Sequence, residues 1–184
     1  MQLLLITCAL TLIPIEALDP PMWNGANVPW NNFGYDIGGG AWDASWFTTK
    51  FSMLQSAGAN SIRFWLHADG RASPSFANDG SVSGPGGANF AQDLKALVSL
   101  AAAHNLVLEL CLWSFDMCKQ DMPGAGLHAD LITDVNKTTS YINNALIPTL
   151  RALDGAPGVV IEVINEPEWC MASACNTKQV LEPI

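Results

Sequence analysis

Positive charge is scarce in this sequence: 8 Lys and Arg stand against 17 Asp and Glu in 184 residues, a formal net charge of -9 with a pI near 4.5. Nucleic acid and anionic membrane both need a positive field to release counterions, so neither is expected as a partner. A neutral small molecule or glycan suits such a surface better. Charge of either sign is also thin, at 14% against 49% hydrophobic residues, which excludes the disordered class and allows one well-buried domain. No long hydrophobic run is present. The opening stretch Leu3 to Ile13 is too short to span a bilayer. It lies where a secretory leader belongs, and residues 1–17 read as a signal peptide cleaved near Ala17, an N-terminal strand or buried helix being the alternative. Residues 18–184 then form the domain. No CxxC pair or closely spaced His set occurs, so no metal centre or other cofactor is expected.

Loss of the leader removes Cys8 and leaves Cys111, Cys118, Cys170 and Cys175, an even number suited to an oxidising compartment. Proximity favours Cys111 with Cys118 and Cys170 with Cys175; free buried thiols are the alternative. Asn136-Lys137-Thr138 fits the N-glycosylation pattern and agrees with secretion.

From Trp23 onward short apolar runs alternate with helical patterns, the mark of repeated βαβ units on a parallel sheet. "MWNGANV" is followed by "SWFTTKFSMLQSAGA", where Phe47, Phe51 and Leu54 form one stripe and Gly58 offers a stop. "NSIRFWLH" is followed by a Gly, Ser and Pro-rich loop and then by a helix with Phe90, Leu94, Leu97, Val98 and Ala101 on one face. "LVLELCLW" leads to "TTSYINNALIPTLRAL", which Pro148 should kink or break, and "GVVIEVINEP" is the fourth strand. The fold class is therefore α/β, with the spacing of a (β/α)8 barrel; since such a barrel takes about 250 residues, the first four βα units are expected here. A flavodoxin-like doubly wound sheet is the competitor, but no Gly-rich phosphate loop follows the first strand.

In a barrel the carboxyl ends of the strands carry function. Arg63 lies in the second strand with His67 at its end, Trp113 closes the third, and Asn165 and Glu166 close the fourth. Glu162, four residues before Glu166, reads as a barrel-interior carboxylate and as an alternative partner for Arg63; Glu109 is assigned to a strand without a catalytic role. Tryptophans are plentiful, seven in all, and their rigid faces suit stacking on sugar rings. Trp113 is the leading platform, with Trp30 and Trp65 behind it and His67 as a further substrate contact; a core role is the alternative for each. His104 ends a helix, where a cation suits the dipole.

"VIEVINEP", "SIRFW" and the stretch from "WNGANVPWNNFGYDIGGG" to "INEPEWC" resemble the family 5 glycoside hydrolases, and within them the animal-type β-1,4-mannanases. The resemblance implies a retaining (β/α)8 enzyme acting on β-1,4-linked polysaccharide, with Glu166 as acid/base, Asn165 touching the sugar 2-hydroxyl and Arg63 supporting the nucleophile. It also implies that the nucleophile, a Glu ending the seventh strand, is supplied from beyond this stretch: Glu168 and Glu182 are the later carboxylates and neither is suitably set. The chain as it stands reads as the amino-terminal part of a secreted mannan hydrolase, inactive alone and prone to self-association. A noncatalytic glycan-binding protein and a cellulase-type β-glucanase are the alternatives.

Overall fold

The computed structural model describes residues 22–119 and 128–174. The expected leader over residues 1–17, together with Cys175 and Glu182, lies outside them.

Sequence periodicity becomes packing in the first two helices. α1 (Ala44–Ser56) starts at Asp43, whose carboxylate accepts from the Trp46 backbone N–H at 2.9 Å, satisfying one of the donors a helix start leaves orphaned. It buries Phe47 and Phe51 completely and ends at Gly58, whose φ of +83° an L side chain would resist. α2 (Phe90–Ala103) buries the five expected apolar residues and also Asp93, whose carboxylate accepts from the Gly38 N–H at 3.0 Å.

Strands β1 (Gly25–Asn27), β2 (Ser61–Trp65), β5 (Val107–Ser114) and β6 (Val159–Asn165) form one parallel sheet, ordered as in the chain. That order has no reversal, the feature at which a doubly wound sheet places its ligand, so the flavodoxin-like alternative falls away. Along β2, Ile62 and Phe64 are buried while Arg63 and Trp65 are half-buried. The period-two alternation thus turns Ile62 and Phe64 into a core shared with Phe47, Phe51, Leu94, Leu97, Leu108 and Leu110. The opposite face carries polar side chains. Register sets Arg63 beside Asn27 and Glu109, and Cys111 beside Glu162.

Two local features depart from the sequence reading. The Gly, Ser and Pro-rich loop contains a small antiparallel hairpin, β3 (Ser75–Phe76) with β4 (Val82–Gly84). Buried Val82 anchors it, its N–H donating to Ser140 Oγ at 2.9 Å and its carbonyl accepting from Asn144 Nδ2 at 2.7 Å. The third helical pattern falls on α4 (Val135–Tyr141), a π-turn (Ile142–Leu146) and α5 (Ile147–Ala152), preceded by a short helix outside the pattern, α3 (Asp130–Thr133). Pro148 falls in the first turn of α5, where its missing N–H costs little. The wider π-turn absorbs the break instead of a kink.

The disulfide differs as well. Cys118, ending a 3-10 turn after β5, is bonded to Cys170 in α6 (Pro167–Ala174), 52 residues away. Neighbouring parallel strands deliver their carboxyl ends side by side, and topology outweighs proximity. Cys111 stays a free, buried thiol, so neither expected pairing, Cys111 with Cys118 or Cys170 with Cys175, forms.

Candidate active site

Arg63 is the hub of the polar face. Its Nε donates to Glu162 Oε2 at 2.6 Å and its Nη2 to Glu162 Oε1 at 2.5 Å, a bidentate fork. Nη2 also donates to Asn165 Oδ1 at 2.9 Å. Glu109 Oε1 stands 3.9 Å from Nε, and Nη1 reaches Asn27 Oδ1 at 3.4 Å. Four strands therefore converge on one guanidinium. The hydrogen bond to Glu162 raises the Arg63 pKa further, and the same bond holds the Glu162 carboxyl below the usual range. Burial, then the Glu162 charge, pushes the neighbouring Cys111 thiol up to about 12, so it stays protonated at neutral pH and is no nucleophile. Glu162 is thus the partner of Arg63 that the sequence offered as the alternative.

Glu166 follows β6 directly and is exposed. Its φ is +50°, a left-handed conformation costing a non-glycine residue about 1–2 kcal/mol. That single residue turns the strand into α6, whose Trp169 N–H donates to the Glu166 carbonyl at 3.1 Å. The carboxylate is left at the sheet's carboxyl edge, one residue from the Asn165 that Arg63 grips. Strain in a residue bearing an exposed carboxylate is a mark of functional sites.

The tryptophans separate into two groups. Trp65 is half-buried with the Arg63 guanidinium 5.2 Å from its ring centroid, and Trp30 meets it edge-to-face at 5.3 Å. Trp113, the leading platform from sequence, is 4% exposed and enclosed by His67, Tyr141 and His128 at 4.9, 5.6 and 6.4 Å between ring centroids. It packs in the core and offers no open face here. His67 is fully buried; its Nδ1 is 2.9 Å from Ser73 Oγ, and burial lowers its pKa to about 3. It is neutral and closed to substrate, because the segment after β2 folds back over it. Trp169, which the sequence reading passed over, is 55% exposed. Its place three residues after Glu166 was the available signal. Among the described residues no group of three or more His, Cys, Asp and Glu could hold a metal ion.

No protein-family profile matches the chain. It is 32% identical over 148 residues to the mannan endo-1,4-beta-mannosidase of Mytilus edulis, covering 79% of this chain and 39% of that one. The enzyme of the same name from Cryptopygus antarcticus is 33% identical over 149 residues, covering 79% and 38%. Among solved structures, beta-1,4-mannanase from the sea hare Aplysia kurodai superposes with a TM-score of 0.72 at 32% identity, over 80% of this chain and 42% of that one. The blue mussel β-mannanase gives 0.70 at 31%, again over 80% and 42%. The chain thus spans about two fifths of the length of the relatives it matches. Over the stretch they share, this chain is homologous to the glycoside hydrolase family 5 β-mannanases in both sequence and fold.

Proposed function

We propose that this chain contributes the acid/base half of the active site of a secreted, retaining endo-β-1,4-mannanase built on a (β/α)8 barrel. The observation that carries the reading is the pair Asn165–Glu166 at the carboxyl end of β6, with Arg63 gripping Asn165. Retaining hydrolysis needs one carboxylic acid to protonate the leaving oxygen and a carboxylate about 5–5.5 Å away to attack the anomeric carbon. Glu166 is the acid and, in the second step, the base that activates water. Asn165, its carbonyl oxygen turned to Arg63, has its amide donors left for the sugar 2-hydroxyl, a contact that strengthens in the oxocarbenium-like transition state. The nucleophile comes from outside this stretch. Arg63, now forked on Glu162, is the cation available to a second carboxylate arriving across the sheet's polar face. Half-buried Trp30 and Trp65 suit the sugar faces.

The acidic composition and the Cys118–Cys170 bridge support an extracellular setting and a neutral polysaccharide substrate. Mannan is favoured over other β-1,4-glycans by the relatives' activity. Alone, the 184-residue chain is inactive and self-associating.

The test is Glu166→Gln in the enzyme that contains this chain. Activity on unactivated mannan should fall about 100-fold or more, while aryl glycosides with good leaving groups are largely spared, since they need little protonation. Equal loss on both substrates removes Glu166 from the acid role. The second reading, a noncatalytic glycan binder, is favoured by the exposed indole of Trp169 and predicts saturable mannohexaose binding by the 184-residue chain alone.

A further inference from the structure

Five side chains form a continuous row along the rim of the sheet. The Arg63 guanidinium lies 5.2 Å from the Trp65 ring centroid, Trp65 meets Trp30 at 5.3 Å, Trp30 meets Phe33 at 4.6 Å, and the guanidinium of Arg71 covers Phe33 at 4.5 Å. One end is the arginine that grips Asn165. The other has no role so far. Arg71 follows a tight turn in which Ala68 and Gly70 have φ of +52° and +89°. A Cβ on Gly70 would stand 2.6 Å from the His128 ring, so only glycine lets the turn close there. The Ala68 carbonyl accepts from the Ser114 N–H at 2.8 Å, and Ser114 is in register with Asn165. The turn is thereby fixed to the same strand ends as the acid/base.

Within that turn Asp69 is completely buried, yet charged groups are rarely buried without a purpose or a partner. Its carboxylate accepts from Arg71 Nε at 3.0 and 2.9 Å, from Nη2 at 2.5 Å and from the Arg71 backbone N–H at 3.2 Å. Nη1, with two N–H donors, makes no hydrogen bond among the described residues, and the side chain is 22% exposed. A planar fork, held rigid from behind by a buried carboxylate and from below by an aromatic face, has little freedom to lose when it binds.

We propose that Arg71 is a specificity-determining residue that donates through Nη1 to the hydroxyls of a neutral pyranoside unit beyond those at the scissile bond, with Phe33, Trp30 and Trp65 forming the floor between. The assignment rests on the glycan reading above. It is tested by calorimetry with mannobiose and mannohexaose on the enzyme that contains this chain, in a Glu166→Gln background that slows turnover about 100-fold. Arg71→Lys keeps a cation beside Asp69 but loses the fork, and should weaken mannohexaose binding by about tenfold or more while leaving mannobiose within about twofold. Phe33→Leu leaves the buried pair intact and should weaken mannohexaose by about threefold, which keeps the test open if Arg71→Lys does not fold. Unchanged mannohexaose affinity in a folded Arg71→Lys or in Phe33→Leu overturns the role of Arg71 and leaves the glycan reading standing. No binding of either sugar by the Glu166→Gln parent overturns both.

Discussion

Glu166 joins an exposed carboxylate to a left-handed backbone, and chemistry and stability pull that residue in opposite directions. A glycine there would lose no packing and would adopt φ of +50° without strain, so Glu166→Gly should raise stability by about 1 kcal/mol while removing the carboxyl on which the proposed acid/base role depends. Chemical denaturation of the variant checks it; a loss of stability would mean that the carboxylate itself holds the β6–α6 turn. His67 supplies a pH dependence. Its folded pKa, near 3, lies below the usual value of 6.5, so between those values the unfolded chain binds more protons than the folded one. The contribution is fully present above pH 6.5 and is lost as pH falls toward 3. Burial lowers His128 in the same direction. Melting temperature should therefore decline on acidification from pH 7 to pH 4, by about 2–4 °C for each kcal/mol lost. His67→Asn should start lower, because it leaves a cavity, but decline less steeply. An unchanged slope would place the protonation elsewhere. The positions of Arg63, Asn165 and Glu166 on and just after their strands were legible, because strand ends are marked locally in the sequence. Trp113 and His67 were misread because their burial depends on the segment after β2 and on Tyr141 of α4, which no strand pattern reveals.

Among the elements, the two α-helices with unbroken stripes, α1 and α2, were legible at their cores because one face of each meets one face of the sheet. In the helix after β5 the helical pattern and an interruption near Pro148 were legible but the form of the interruption was not, since the π-turn also packs against β4 through Asn144. The cysteines were least legible, because a bridge depends on which strand ends lie side by side. That bridge ties the turn after β5 to α6 and so to the segment carrying Glu166. Closing a loop of 52 residues, it should stabilise the fold by about 2–4 kcal/mol on the chain-entropy argument. Cys170→Ser should lower the melting temperature under oxidising conditions, and reductant should affect the parent but leave the variant unmoved. If reductant moves both equally, the stabilisation does not come from this bond.

As a whole, the described sheet has two open edges, β1 and β6, and Arg63, Glu109 and Glu162 between them stay part-exposed. The apolar side chains of Val160 and Val163 are 38% and 67% exposed. Unpaired strand edges template further pairing, so residues 18–184 expressed alone in an oxidising host should elute from size exclusion as oligomers and release no reducing sugar from mannan. A monodisperse, active monomer would overturn both expectations. The position of Arg63 has a consequence in time as well. Its contacts with Glu162 and Asn165 span 99 and 102 residues, and at 5–20 residues per second a ribosome needs roughly 5–20 s to deliver those groups after Arg63. Until then the nascent β2 carries a cation without its fork, and Glu109, next to it in register, is the first of its charged partners to be synthesised. Glu109 keeps its place 3.9 Å from Arg63 in the folded chain, so the fork and the Asn165 contact wait on the emergence of β6, and the translation rate over that strand becomes a variable of its maturation.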